Sequence, residues 1–422
     1  MKTGLNFLMA AKRSEMADLH QLARTSALVN TTASFIHQLQ RERGLSNLYL
    51  ASDGRDAVSA RHDQLALSQA AELALRSGLE ALDTEAHRAA HGARLFSRIA
   101  YVMHGLDALP ALRDAVRQRQ WDAERSTAAY SRLIAGLLAV VFEAADSASD
   151  PDISRLLVSL FNFMQGKEFM GQERATGAAL FAAGRLDARL QQRLLHLIES
   201  QARCLEVFHD FASPLVRAKW ADCDSGPALT TLERMRRVLS TTQDDSPLDT
   251  RWSRPWFDAC SERLDAMRTV EALQANELLA LCEGRQTAAA QELAALERLD
   301  RTLAQTPCLT SSAAFLEAPD TPLAQAPSQP LGSQLDRAML ELLQAQAQRL
   351  QTVSAELETV RASLNERKLI ERAKGLLMAH RQLSEDDAHR ALRRMAMGQG
   401  RRLVDVAETV LAMADVLPVR TG

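Results

Sequence analysis

The sequence is poor in aromatic residues, which make up 5% of its 422 residues and include only three tyrosines. It also lacks runs of alternating Val, Ile and Thr, whereas Ala, Leu, Gln, Arg and Glu are abundant. Because β-branched and aromatic side chains fit a pleated sheet best, their scarcity argues against sheets and favours helices. With a hydrophobic content of 46%, the chain can build a folded core. We therefore expect an all-α protein.

Cysteines are equally few, an odd number of five with no Cys-x-x-Cys pair. This argues against a disulfide framework or a structural zinc site and fits a reducing compartment. The most apolar stretch, residues 133–145, is too short to span a membrane and contains Glu143. The brief apolar stretch at the N-terminus is soon followed by charges, unlike a signal peptide. We expect a cytoplasmic protein that does not engage a membrane.

Motifs of catalysis are missing as well. The chain has no nucleophile elbow, no glycine-rich phosphate loop and no His-Glu-x-x-His, and its ten histidines show no metal-ligand spacing. We therefore expect neither an enzyme nor a bound metal or cofactor.

Helical periodicity runs almost unbroken through residues 1–302 and predicts about eight long helices, most simply stacked as antiparallel bundles. Residues 303–333 hold five of the twelve prolines and have no periodicity, which is typical of a linker. The remaining residues, 334–422, form a third segment that begins with a long helix and ends in a small three-helix unit.

The long helix carries apolar residues at alternating spacings of four and three. They are Met339, Leu343, Leu350, Val353, Leu357, Val360 and Leu364, with Gln346 as a polar interruption. This spacing predicts a coiled coil, either between two chains or within one, and a polar residue in the seam can fix its register. The alternative is an amphipathic helix that packs against the first segment.

Charge is distributed unevenly between the segments. Residues 361–422 contain 12 Lys/Arg against 8 Asp/Glu, a net charge of +4, although the whole chain carries −3. A basic unit attached to an acidic one indicates a polyanionic partner, with a merely solvated basic face as the alternative.

An arginine interrupts an apolar stripe near the N-terminus, in the segment "IHQLQRERGLSNLYLAS". Helical spacing places Arg43 on the same face as Leu39 and Leu50, whereas Arg41 lies about 200° away and can reach water. The pattern recurs 131 residues later in "KEFMGQERATGAALFAAG", where Arg174 occupies the corresponding position. Arg236 shares a third apolar stripe. A buried guanidinium needs a counter-charge, either a carboxylate of the core or a small oxyanion.

These two segments resemble the nitrate- and nitrite-sensing NIT domain. The resemblance covers most of residues 30–300 and implies a pair of all-helical four-helix bundles that bind nitrate or nitrite between them. It implies Arg43, Arg174 and Arg236 as the ligand-binding residues.

The C-terminal sequence "ERAKGLLMAHRQLSEDDAHRALRRMAMGQGRRLVDVAETVL" resembles the ANTAR domain of transcription antiterminators. Members of that family bind RNA stem-loops and often dimerise through a preceding coiled coil. Basic residues supply the phosphate contacts, and a methionine or a close backbone can support an unstacked base. The residues that we expect to contact RNA are Lys374, Gly375, Met378, Arg381, Arg393, Arg394 and Met397.

The two resemblances together predict a homodimeric, nitrate- or nitrite-responsive antitermination regulator. Anion binding is expected to free or dimerise the C-terminal unit, which then binds a leader-RNA stem-loop and prevents termination. The alternative is a ligand-regulated DNA-binding transcription factor, because three short basic helices can resemble a helix-turn-helix.

Overall fold

The structure is a computed structural model that describes residues 4–52, 54, 55, 57–82, 92–305, 334–381, 383 and 385–414. All regular elements in these ranges are helices, apart from one isolated bridge between Arg185 and Pro247. The α-helices before the linker are Gly4–Ala51 (α1), Val58–Glu80 (α2), Gly92–Arg117 (α3), Ala123–Ser147 (α4), Pro151–Ala183 (α5), Ala188–Phe211 (α6), Pro214–Cys223 (α7), Pro227–Thr241 (α8) and Ser253–Gln305 (α9). Those after it are Gln334–Arg381 (α10), Glu385–Gln399 (α11) and Leu403–Ala414 (α12). The predicted all-α class is confirmed.

Local sequence sets several helix ends. Asp150 caps α5 by accepting from the backbone N–H groups of Asp152 and Ile153, and Pro151 occupies the first helical position. The same helix ends at Gly184, whose φ of 70° is the left-handed conformation that glycine adopts most readily. α5 is thereby fixed as one helix of 33 residues that runs through the middle of the molecule.

We call residues 4–305 the body, and α5 links its two hydrophobic cores. The first core is built by α1–α4 together with the N-terminal part of α5 and the middle of α9, including Phe35, Ile134, Leu157 and Leu278. The second is built by the C-terminal part of α5 with α6–α9, including Phe181 and Trp256. This arrangement is consistent with the predicted pair of helical bundles, with α1 and α5 adjacent where they meet.

α4 is apolar and long enough to cross a membrane by composition, over residues 123–146. Most of that stretch is buried inside the body, as expected of the core helix of a bundle.

We call residues 334–414 the tail. The structure differs here from the prediction of a coiled-coil helix followed by three short helices. α10 is continuous through Arg381, because no proline or glycine cap interrupts the sequence between the seam and the ANTAR-like motif. α10, α11 and α12 share a small core that includes Ala373, Leu392 and Val406.

The predicted seam of α10 divides into two parts. Leu350 is 59% exposed, whereas Leu357, Val360 and Leu364 are buried. Val360 and Leu364 belong to the first core of the body. The C-terminal part of the seam therefore packs against the body, as in the alternative interpretation. The side chains of Met339, Leu343 and Gln346 and the linker beyond Gln305 lie outside the described residues.

Candidate anion site and docked basic tail

Arg43, on α1, is held inside the body by a carboxylate. Its Nη1 and Nη2 donate to Oε1 and Oε2 of Glu168 at 2.5 and 3.1 Å, and Nη1 also donates to Ser131 Oγ at 2.8 Å. Gln40 and Gln172 each donate to the same carboxylate at 2.9 Å. The side chains of Arg43 and Glu168 are only 5% and 4% exposed. This bidentate pair satisfies both buried charges.

Arg174, on α5, has a different environment. Its Nη1 donates to Ser261 Oγ at 3.0 Å, and its guanidinium lies over the Phe257 ring, 4.7 Å from the centroid. Among the described residues, no carboxylate forms an ion pair with it. Burial, followed by the positive charge of Arg43, lowers the pKa of Arg174 to about 10. Arg174 therefore carries a positive charge that the fold does not neutralise.

The two arginines face each other across the contact between α1 and α5. A Cβ atom on Gly44 would lie 2.9 Å from Arg174 Nη2, and one on Gly171 would lie 3.0 Å from Arg43 Nη2. Each guanidinium therefore approaches the other helix where a glycine leaves room for it. Gly177, also on α5, leaves room for a different side chain, because a Cβ there would lie 2.2 Å from the Trp256 ring.

A serine orients each arginine from a third helix. Ser131, on α4, accepts from Arg43, and Ser261, on α9, accepts from Arg174. The serines are separated by nearly the same number of residues as the arginines. The internal repeat thus includes a serine partner for each arginine. These serines were not predicted from the sequence, although their separation nearly matches that of the arginines.

Arg236, the third predicted ligand, is neutralised within the second half of the body. Its Nε and Nη2 donate to the Glu173 carboxylate at 2.7 and 2.6 Å, and Nη1 donates to Glu233 at 2.6 Å. Although burial opposes it, the attraction of Glu173 and Glu233 raises the pKa of Arg236. In the described part of the chain, no hydrogen bond or ion pair links Arg236 to Arg43 or Arg174, so the structure brings only the latter two together.

The three consecutive charged residues of α1, Arg41, Glu42 and Arg43, have three different environments. Arg41 is exposed, as predicted, and Arg43 is buried. Glu42 is also fully buried, which the sequence analysis did not anticipate. Its oxygens accept from Arg113 at 2.9 and 3.1 Å and from the Tyr130 hydroxyl at 2.7 Å. Burial and this carboxylate raise the pKa of Tyr130.

Comparison with known proteins decides the family. A family model described as nitrate and nitrite sensing (NIT) matches residues 34–279, and the ANTAR domain model matches residues 358–411. The chain is 34% identical to the nitrate regulatory protein of Klebsiella oxytoca over 414 residues, covering 97% of this chain and 95% of that protein. The chain belongs to the NIT–ANTAR family. It is also similar to the solved NasR transcription antiterminator, with a TM-score of 0.60, 33% identity and coverage of 98% and 99% of the two chains.

In this NIT–ANTAR protein, a cleft of about 1500 Å³ separates part of the body from the tail. Arg43 and Glu168 line it from the body, and Lys368 and Lys374 line it from α10. Arg43 thus lies at a cleft that the ANTAR tail partly covers, whereas Arg174 is not among the residues that line it.

The ANTAR tail contacts the end of α4 through α10. Lys368 Nζ lies 2.5 Å from Asp146 Oδ1, and Arg361 Nη2 donates to the carbonyl oxygen of Ala148 at 3.3 Å. Cations at this position also interact favourably with the C-terminal end of the α4 dipole. Further along, Arg367 donates to Asn162 Oδ1 at 2.9 Å and lies over the Phe161 ring, 4.7 Å from its centroid. This arrangement fixes α10 against the first half of the body.

α11 of the ANTAR tail contacts the second half of the body at α6. Arg393 forms an ion pair with Glu199. The rings of His389 and His196 pack with centroids 4.8 Å apart. Burial lowers the pKa of His389 to about 3, with smaller contributions from the positive charge of His196, Arg203, Lys374 and Arg393. The tail therefore contacts both halves of the body at once.

The predicted RNA-contacting residues are divided by this docking. Met378 and Met397 are 37% and 73% exposed, and Arg394 is also exposed. A Cβ on Gly375 would meet nothing within 4 Å, so the backbone there is open. Lys374 is 8% exposed and donates to Glu371 at 2.9 and 3.0 Å. Arg393 is paired with the body, and the side chain of Arg381 lies outside the described residues.

Proposed function

We propose that this chain is a nitrate- and nitrite-responsive transcription antitermination regulator that works in the cytoplasm. The observation that carries the proposal is the pair of facing arginines, one neutralised and one not, in the same chain as a basic RNA-binding domain. The similarity to a nitrate regulatory protein and to an antiterminator supports the same conclusion.

The anion is proposed to bind between Arg43 and Arg174. A planar oxyanion matches the planar, forked donors of a guanidinium, so two such groups can hold nitrate or nitrite from two sides. Arg236 remains a predicted ligand with less support, because Glu173 and Glu233 already occupy its donors. No cofactor is required for this binding.

Signal transfer is proposed to use the tail's contacts with both halves of the body. An anion that draws Arg43 and Arg174 together changes how α1 and α5 pack, and therefore the relative position of α4 and α6. Those are the helices to which the tail is docked. By linkage, the anion favours release of the tail only if it binds the released arrangement more tightly than the docked one.

Release is proposed to expose the complete RNA surface. Lys374 and Arg393 then join Arg394, Met378 and Met397 in binding a leader-RNA stem-loop, with basic residues on phosphates and the methionines beneath unstacked bases. The seam of α10 then becomes available for a coiled coil with a second copy, which makes the active form a homodimer.

Fluorescence anisotropy with a labelled leader-RNA stem-loop tests this function in the full chain. Nitrate is expected to tighten RNA binding by about 5- to 150-fold, the usual range of an allosteric coupling. Lys374→Ala should weaken RNA binding and leave nitrate binding unchanged. If duplex DNA binds more tightly than the stem-loop, the chain is instead a DNA-binding regulator. If nitrate changes neither affinity, the proposed coupling is wrong.

A further inference from the structure

Glu168 is the only carboxylate that contacts either member of the arginine pair among the described residues. It lies on α5, between α1 and α4, and is 3% exposed. Two N–H groups of Arg43 and one each of Gln40 and Gln172 donate to its oxygens. With four donors directed at it, this carboxylate is held rigidly in place.

In the ranges that the structure describes, the other buried charged residues near the arginine pair form ion pairs with one another and not with Arg43, Arg174 or Glu168. Lys167 pairs with Glu271, and Glu42 pairs with Arg113. Arg268 also contacts Glu271 but is 30% exposed, and Asp265, which attracts Arg174 at longer range, is exposed. Water screens the exposed Asp265 and the partly exposed Arg268 more than it screens the buried charges. Counting the described residues alone, the site itself therefore consists of two guanidinium groups and one carboxylate, a net charge of +1.

The two guanidinium groups that give the site its net charge of +1 also have N–H groups available for an anion. A guanidinium has five N–H groups. The described bonds of Arg43 use three of them, and those of Arg174 use one. Arg174 Nη2 points toward Gly44, where a side chain is missing. The pair can thus donate to an oxyanion without losing its bonds to Glu168.

From this charge count we propose that Glu168 determines the anion selectivity of the site, admitting one monovalent anion and rejecting divalent ones. The inference rests on the proposed anion site. A monoanion brings the buried charge to zero, whereas a dianion leaves an uncompensated negative charge beside Glu168. An uncompensated charge in a partly desolvated site costs several kcal/mol, roughly the scale of a hundredfold or greater loss of affinity.

Glu168 also limits the affinity for the favoured anion. The carboxylate attracts the same arginines that an entering monoanion needs, and it repels that anion at close range. Because Glu168 repels both anions, it excludes sulfate but also weakens the binding of nitrate, as expected when specificity comes from a repulsive group.

The test is calorimetric titration of the full chain with nitrate and with sulfate at constant ionic strength. Wild type should bind nitrate and show no sulfate binding. Glu168→Gln keeps the shape and removes the charge, so it should bind sulfate and tighten nitrate by about tenfold. Glu168→Asp keeps the charge and should still reject sulfate. Glu42→Gln is the matched control, since it removes a buried carboxylate next to Arg43 in sequence that pairs with Arg113 instead.

The outcomes separate this inference from the anion site on which it rests. If Arg43→Lys and Arg174→Lys abolish nitrate binding while Glu168→Gln still rejects sulfate, the site stands and the selectivity inference is wrong. If nitrate binding survives both lysine substitutions, the site itself is wrong. Circular dichroism confirms that Glu168→Gln folds. If Glu168→Gln does not fold, the titration of wild type is the test. Equal affinity of wild type for sulfate and nitrate would overturn the inference.

Discussion

The two halves of the body place an arginine at the same position of a long central helix but surround it differently. Arg43 is held by the Glu168 carboxylate, whereas Arg174 has a serine hydroxyl and the Phe257 ring. The environment of Arg43 resembles a structural ion pair, whereas Arg174 has no carboxylate partner among the described residues. An internal repeat has thus produced one neutralised and one unneutralised copy of the same side chain. An external anion gains most beside the unneutralised copy.

The largest expected effect is a difference in the free energy of unfolding between substitutions of the two arginines. Arg43→Met leaves Glu168 buried without its cation, so urea unfolding should show a loss of about 3–5 kcal/mol. Arg174→Met removes a cation that lacks a carboxylate partner, so its effect should stay within about 1 kcal/mol. Equal losses in both variants would mean that Arg174 has a structural counter-charge after all.

Acid should weaken the contact between the tail and the second half of the body. In the docked tail, burial and then the nearby positive charges lower the pKa of His389 to about 3, whereas a histidine exposed in a released tail has the ordinary value of about 6.5. The released tail binds the proton more tightly, so docking is strongest above about pH 6.5 and weakens as the pH falls toward 3. Between pH 7.5 and 5.5, the docking equilibrium should shift by about tenfold toward release.

Energy transfer between dyes on α6 and α11 measures this shift in the anion-free chain. His389→Gln cannot titrate and should remove most of the pH dependence. A wild-type signal that stays constant from pH 7.5 to 5.5 would show that His389 does not report on docking.

A smaller effect is expected from filling the space between Gly44 and Arg174. In Gly44→Ala the new methyl group would lie 2.9 Å from Arg174 Nη2 and must displace it. Nitrate affinity, measured by calorimetry, should fall by about fivefold, roughly 1 kcal/mol. Gly284→Ala, on α9, meets nothing within 4 Å and serves as the control. Equal affinities in the two variants would place the anion away from Arg174.

The smallest expected effects compare two of the ion pairs between the tail and the body. Asp146→Asn and Glu199→Gln change only the body, so the RNA surface stays intact. Lys368 and Asp146 are 19% and 6% exposed, against 48% and 42% for Arg393 and Glu199. Because exposed pairs contribute little, Glu199→Gln should raise anion-free RNA affinity by only about twofold and Asp146→Asn by about fivefold. The reverse order would mean that docking depends mainly on α6.

Periodicity was sufficient to predict the all-α class and the burial of Arg43, because both follow from spacing within one helix. It also separated Arg41 from Arg43 correctly. The carboxylate partner could not be predicted in this way. Glu168 lies 125 residues from Arg43 along the chain, and only the packing of α5 on α1 brings the two together.

The tail shows a second limit of sequence reasoning. The seam of α10 has the same spacing whether it packs against another chain or against the body. Only the structure shows that Val360 and Leu364 complete the first core. Likewise, Lys374 and Arg393 have the composition of an RNA surface, yet in the docked tail Lys374 lines the cleft and Arg393 pairs with Glu199.

Calorimetric titration of nitrate into wild type, Arg43→Lys and Arg174→Lys tests the central claim most directly. Lysine keeps each positive charge but loses the planar fork that an oxyanion needs. We expect one anion per chain in wild type and a loss of roughly a hundredfold in affinity in each variant. Undiminished nitrate binding in both variants would contradict it.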